Sequence, residues 1–296
     1  MVERFKIKPG SLGGWNTYLK GVIERECVAQ NKEARGDRGP RDSMYASDYG
    51  QCQRKTFMQF FPDRFPGEKF TDRTIRIFQN GDSVHERLSE YLRRDKALGF
   101  LEEIDIPRDT LDVHGRSDGL CLINDQFVVV EFKSINRSNV PCPKEEHLGQ
   151  ITMYMMMWDE YRGDLRQLLG LGRDEIPSKD FDTNHFKRLT REEILLVSSQ
   201  GPIKGELIYE SKQTQAVFCF PVDLEQGRVS KVRLWYEQMH HFVDNEQMPE
   251  MRNVKDKFPC QWGRGSTLGK CQFYDTCWNG GLKEVDDGDK VQITRS

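Results

Sequence analysis

The chain has 296 residues, 36% of them hydrophobic and 31% charged, and 44 Lys and Arg against 47 Asp and Glu leave a formal charge of −3. That length can bury an ample core. The charge excludes a protein that coats DNA through a uniformly basic surface, and the lack of any run of about 18 apolar residues excludes a helical membrane span. The opening MVERFKIKPG has no hydrophobic signal region, so a cytoplasmic protein is expected, and its eight cysteines point to metal or cluster ligands or buried thiols over disulfides.

Residues 1–42 form a polar, Gly-rich N-terminal extension ending in the linker-like GDRGPRDS, with helical spacing of apolar residues from Trp15 to Gln30. Ser47 and Asp48 are N-cap candidates for a helix running through Cys52 to Phe60. Arg54 and Lys55 follow Cys52 and favour its thiolate, although a buried structural thiol is the commoner reading of such a residue alone. A long helix is expected from Asp72 to Leu98, with Ile75, Phe78, Val84, Leu88 and Leu92 at helical period. Gly81 and His85 lie four apart on it, so a residue without a side chain clears space one turn from an imidazole.

Phe100 to Pro107 reads as a strand leading to a hairpin. The stretch HGRSDGLCLINDQFVVVEFKSIN from His114 to Asn136 predicts strands from Gly115 to Ile123 and from Gln126 to Ser134, joined by Asn124 and Asp125 in the left-handed conformations of a tight turn. That turn pairs Ile123 with Gln126 and, counting outward, sets Asp118 opposite Glu131. Opposed carboxylates repel unless something compensates, and a bound cation is the simplest compensation. Alternation puts Val128, Val130 and Phe132 on an apolar face and Val129, Glu131 and Lys133 on a chemical one. Two hard oxygen ligands beside an ammonium suit Mg²⁺ or Mn²⁺. A surface hairpin with a charged outer face is the competing reading. Glu102 and Glu103 offer a further carboxylate, but spacing does not choose between them.

Asn139 to Pro143 breaks the strand, and a helix is expected from Lys144 to Tyr161. Gln150 and Tyr154 stand one above the other on it, while a run of methionines fills apolar positions. Residues 163–191 are charged and irregular, as an insertion or lid. Ile194 to Ser198, Ile203 to Tyr209 and Ala216 to Val222 read as strands, and Val229 to Val243 as an amphipathic helix. Lys212 is either a phosphate contact or a solvent-facing hairpin lysine. The C-terminal segment, residues 251–296, carries Cys260, Cys271 and Cys277 at x10 and x5 spacing. Cys52, across the core, is the candidate fourth ligand. Four thiolates suit either a 4Fe-4S cluster or structural zinc. Cys27, Cys121, Cys142 and Cys219 read as buried or half-buried thiols.

Asp118 with Glu131-Phe132-Lys133 resembles the signature of the PD-(D/E)XK nuclease superfamily. Three further features are similar to its iron–sulfur RecB-type members, including CRISPR-adaptation and helicase-associated nucleases: Gly81-x-x-x-His85 before the hairpin, Gln150-x-x-x-Tyr154 after it, and one cysteine before the core with three after. The last two cysteines have the family's spacing, whereas the gap from Cys260 to Cys271 is longer than usual. The resemblance covers residues 43–278. It implies a restriction-endonuclease-like α/β core at 43–250, with a mixed central sheet flanked by helices. It also implies metal-dependent hydrolysis of DNA that is single-stranded or has free ends, in recombination, repair, phage DNA processing or CRISPR adaptation, with protein partners in such complexes. In that reading His85, Asp118, Glu131 and the Phe132 carbonyl hold Mg²⁺ or Mn²⁺, Lys133 positions water or stabilises phosphorane charge, and Gln150 and Tyr154 orient the strand or Lys133. Cys52, Cys260, Cys271 and Cys277 hold a structural 4Fe-4S cluster, which the resemblance favours over zinc. A zinc-stapled nuclease and a non-catalytic DNA-binding or assembly subunit are the alternatives.

Overall fold

A computed structural model describes residues 20–30, 41–65, 67, 71–96, 98–106, 111–169, 171, 189–250, 260 and 271–278, and the backbone alone of 283–287 and 290–294. Residues 20–30 are helical (α1), within the expected 15–30 span. Strand β1 (Met44–Tyr45) and a 3-10 turn (Ala46–Asp48) precede α2 (Gln53–Phe60) and α3 (Asp72–Arg94). Strands β2 (Leu101–Ile106), β3 (Val113–Ile123) and β4 (Gln126–Ile135) follow, then α4 (Glu145–Leu168), α5 (Arg191–Ser198), β5 (Lys204–Ser211), β6 (Val217–Val222) and α6 (Gln226–Asp244). Helix α7 (Tyr274–Trp278) and the antiparallel pair β7 (Lys283–Asp287) and β8 (Lys290–Thr294) come last.

The expected architecture, a mixed central sheet flanked by helices, is the one observed. Its order is β1-β3-β4-β5-β6, with β2 also paired to β3. β4 and β5 are parallel, which requires the long crossover that α4 and α5 supply, and the β2–β3, β3–β4 and β5–β6 pairs are antiparallel. The hairpin forms as its turn chemistry dictates: Asn124 and Asp125 have φ of 50° and 62°, and Ile123 pairs with Gln126.

Both faces of the sheet are covered. Val128, Val130 and Phe132 pack with Val84 and Leu88 of α3, while Leu120, Phe127, Val129 and Leu207 pack under α4. The face of Val129, Glu131 and Lys133, expected to be the chemical one, is therefore mostly a second hydrophobic interface, polar only towards the end of β4. The reason is the parallel β4–β5 pair, whose crossover lays a helix over it. Helix α4 is buried on all sides from Gly149 to Trp158, because the 46–48 turn, α5 and α6 pack against it from the side away from the sheet. The methionine run suits that position, since its flexible side chains fill irregular gaps. Tyr236 of α6 donates its hydroxyl to the carbonyls of Tyr45 and Ala46, pinning the turn that leads to α2.

Several expectations are corrected. Residues 194–198 are helical, because Thr190 and Glu193 form a reciprocal capping box: Glu193 N–H donates to Thr190 Oγ1 at 3.3 Å and Thr190 N–H to Glu193 Oε2 at 2.7 Å. Helix α2 starts at Gln53, because Asp48 spends its carboxylate on the Tyr45 N–H and on Arg41 and closes the 3-10 turn first. Helix α3 stops at Arg94, four residues before Leu98, with Arg93 and Arg94 suited to its C-terminal dipole. Helix α4 continues to Leu168, so 163–168 belong to it; residues 172–188 of the expected insertion lie outside the described residues. Cys142 and Cys219 are exposed, the first on the connection after β4 and the second on the outward face of β6 at the sheet edge. Among the described residues no helix is long and apolar enough to cross a membrane.

Candidate active site

The site lies where β3 leaves β4. The β3–β4 ladder ends at Gly119 opposite Val130, one pair short of the two carboxylates, whereas β5 accompanies β4 from Val128 through Ile135. Alternation from Gln126 aims the Phe132 N–H towards the space β3 has vacated. Asp118 takes over from the ladder: the Phe132 N–H donates to its Oδ2 at 2.6 Å. Its Oδ1 meets His85 Nδ1 of α3 at 3.2 Å, so Asp118 spans from the strand fork to the helix.

Glu131 stands on the α4 side and is only 2% exposed. Its Oε1 accepts from Lys133 Nζ and, at 2.7 Å, from Gln150 Nε2, which also donates to the Tyr154 hydroxyl at 2.9 Å. Its Oε2 is buried and has no hydrogen-bond partner among the described residues. His85, Asp118, Glu131, Lys133, Gln150 and Tyr154 thus form one connected group drawn from α3, β3, β4 and α4. Gly81 sits beside it. A Cβ there would meet Ser134 Oγ at an ordinary 3.8 Å, so packing does not demand glycine. Glu102 and Glu103 are exposed on β2 and pair with Arg93 and Arg116.

Burial and then the charge of Asp118 push Glu131 up to about 8, against the pull of Lys133. Burial acts the same way on Asp118, but the hydrogen bond and charge of His85, with Lys133, outweigh it and hold Asp118 below its ordinary value. Burial disfavours the cationic forms of His85 and Lys133, yet Asp118 outweighs it at His85, as Glu131 and Asp118 do at Lys133, and both are raised. An imidazolium and an ammonium thus stand beside the Asp118 carboxylate, and Glu131 is the acid that holds its proton longer.

Sequence reasoning missed a neighbouring pair. Tyr209 is the Cα partner of Lys133 on β5, and its hydroxyl lies 2.7 Å from His147 Nδ1 and accepts the Lys144 N–H at 3.2 Å. Burial and the nearby Lys133 and Lys144 push His147 down to about 3. His147 is one turn before Gln150 on the same helical face, a spacing that offered a signal. Arg87 of α3 also pairs with buried Glu210 of β5, two residues beyond His85. Lys212 is half-buried at the end of β5, and its N–H donates to the Ile135 carbonyl at 2.8 Å.

The four cysteines approach one another beyond the segment that packs against the start of α4. Cys52 is the N-cap of α2, Cys271 N–H donates to the Cys260 carbonyl at 2.9 Å, and Cys277 lies on α7. Every pair among the four is close enough for their charges to interact. Burial, with those neighbours, raises the thiols of Cys260 and Cys271 and pushes Cys277 up to about 11. Cys27 and Cys121 are buried, in the contacts of α1 with α3 and of β3 with β4.

Among the described residues no three His, Cys, Asp or Glu side chains stand in a ready-made ion cage. Two observations nevertheless fit bound metal. The partnerless buried Glu131 Oε2 is an acceptor awaiting a positive group, and four converging thiols are a soft donor set of the kind zinc and iron–sulfur centres take.

No protein-family model and no curated protein matches the chain. Among solved structures, that of SSO0001 is similar at 13% identity over 76% of this chain and 86% of that one, with a TM-score of 0.44. An alkaline exonuclease (LHK-Exo) from Laribacter hongkongensis is similar at 10% identity over 69% and 89%, with a TM-score of 0.40. Its complex with dAMP gives 12% identity over the same shares, with a TM-score of 0.34. None of these likenesses carries residue roles to this chain, whose own geometry must supply them.

Proposed function

We propose that the chain is a divalent-metal-dependent deoxyribonuclease, most simply an exonuclease on single-stranded DNA or DNA ends, with its terminal segments joined by a structural 4Fe-4S cluster. The observation that carries the reading is the strand fork. It brings a buried carboxylate with one unused oxygen, a second carboxylate locked to a backbone N–H, and a lysine into one polar group at the end of β4.

Mg²⁺ or Mn²⁺ at His85, Asp118, Glu131 and the Phe132 carbonyl supplies, when bound, Lewis-acid polarisation of a phosphate and a water of lowered pKa. The chain's own residues do the rest. The Phe132 N–H fixes the Asp118 carboxylate, and Gln150, itself held by Tyr154, fixes Glu131, so neither acid must reorganise as charge develops. Lys133 keeps its proton through its contact with Glu131 and offers an ammonium to a phosphate oxygen or a hydrogen bond to the attacking water. His85 would have to give up its proton to ligate, and the positive charge that its imidazolium supplies to Asp118 would then be replaced by that of the ion.

The test is digestion of end-labelled linear and of circular single-stranded DNA with Mn²⁺, with Mg²⁺ and with EDTA. Stepwise release of mononucleotides from linear DNA with either metal, but not with EDTA, is expected. Cleavage of circles would make the enzyme an endonuclease, and no cleavage of any DNA would overturn the reading. A brown protein absorbing near roughly 400 nm with stoichiometric iron supports the cluster, and a colourless one with zinc replaces it by a zinc staple.

A further inference from the structure

Helix α2 begins on Cys52 and places two cations in its first turn. Arg54 is only 6% exposed, and its buried Nε has no hydrogen-bond partner among the described residues. Among the described residues no carboxylate lies within ion-pair distance of it, in contrast to Arg41 and Arg87, whose partners are the buried acids Asp48 and Glu210. The charge of Arg54 reaches Cys277 instead, and that of Lys55, which donates to Gln51 Oε1 at 2.8 Å and is also felt by Asp48, reaches Cys271.

A guanidinium does not shed its proton in a protein, so burial without an acid leaves a standing charge that neighbouring dipoles compensate only in part. Cysteines ligate metals as thiolates, and four thiolates around a divalent ion or a 4Fe-4S core leave a surplus of negative charge in a half-buried place. The two imbalances have opposite signs and lie in the same corner of the fold. We propose that Arg54 is the counter-cation of the cysteine site, a positioning residue that ligates nothing but makes the thiolate form of that site affordable, with Lys55 as a weaker, half-exposed second charge. This rests on reading Cys52, Cys260, Cys271 and Cys277 as one metal or cluster site, yet it is separable from that reading. The competing view is that Arg54 only packs its aliphatic stem beneath α2, in which case its charge is incidental.

The test compares full-length wild type, Arg54→Lys and Arg54→Met after anaerobic purification, by iron and zinc content and by the rate at which EDTA removes the metal. Arg54→Met should hold its metal roughly 10- to 100-fold less well, the usual cost of losing a group that supports metal ligands, and Arg54→Lys should stay near wild type. Thermal unfolding supplies a second readout that packing alone would not move in this way. Loss of the charge should lower the unfolding temperature of metal-loaded protein and raise that of metal-stripped protein, because only the loaded site neutralises it. Equal metal retention in Arg54→Met, loss in Arg54→Lys equal to that in Arg54→Met, or a shift of the same sign in both forms overturns the proposal while leaving the cysteine site standing. If Arg54→Met does not fold, Arg54→Lys decides, with retained metal supporting the role of charge and lost metal overturning it. Wild type with neither iron nor zinc overturns the cysteine site itself, and the proposal with it.

Discussion

The carboxylate site and the cysteine site solve the same problem, holding like charges together, with opposite kinds of scaffold. At the first, ligand candidates stand on adjacent strands of one hairpin, and the backbone ladder positions them before any ion arrives; lysine and histidine already balance the charge. At the second, the sulfurs come from a helix start and a segment more than 200 positions later, as Cys52 and Cys260 show, and contacts such as Trp278 beside Cys260 and the Phe273 N–H at Cys271 come from the C-terminal segment itself. A site written into a sheet can be preorganised by local register, whereas a site that joins distant segments must draw its order from what it binds.

That contrast is broken most directly at the strand fork. Asp118→Ala or Glu131→Ala should lower DNA cleavage by about 10²–10³-fold, since charge stabilisation of several kcal/mol is removed, while iron or zinc content stays close to wild type. Cleavage assays beside metal analysis check it, and full activity in both variants would end the proposed mechanism. Cys277→Ala should do the reverse in kind. Loss of bound metal reopens a long loop and should cost several kcal/mol of stability, with urea unfolding as the measurement, and an unchanged midpoint would mean that the cysteines do not clasp the fold.

Gly149→Ala should disturb both regions together. Its Cβ would lie 1.9 Å from Cδ1 of buried Tyr49, between Gln150 on α4 and the segment leading to Cys52, so a loss of about 1–3 kcal/mol is expected with falls in both metal retention and cleavage. A more gradual effect concerns pH. His147 is held near 3 in the folded chain against an ordinary 6.5, so below that value the unfolded chain takes up a proton that the folded one refuses. Stability should therefore be complete above pH 6.5 and fall progressively as the pH drops towards 3. His147→Gln should flatten that part of the profile in thermal melts at fixed salt; an unchanged slope would place the acid sensitivity elsewhere.

Much of the carboxylate site was legible because its determinants are local. Asn124 and Asp125 set a two-residue turn, the turn sets the register, and the register brings Asp118 towards Glu131. What register could not tell is that the ladder stops one pair early and that the Asp118 carboxylate takes the Phe132 N–H, since that depends on where β3 finds its other partners, β1 and β2. The helix at 191–198 was legible too, in Thr190-x-x-Glu193, but its apolar tail of Ile194, Leu195, Leu196 and Val197 suits a buried strand equally well.

By itself, then, the sequence determined the elements whose hydrogen bonds close within a few residues: the hairpin, its turn, the pairing of Gln150 with Tyr154 on one helical face, and the long amphipathic α3. Tertiary structure alone decided that α4 is buried all round, that the supposedly open face of β4 is roofed, that His147 and Tyr209 meet beside Lys133, and that Arg54 is buried near the cysteines without an acid. Those outcomes hang on which surfaces meet. Burial, desolvation and the pairing of charges are properties of contacts between segments far apart in the chain, and no periodicity within one segment encodes them.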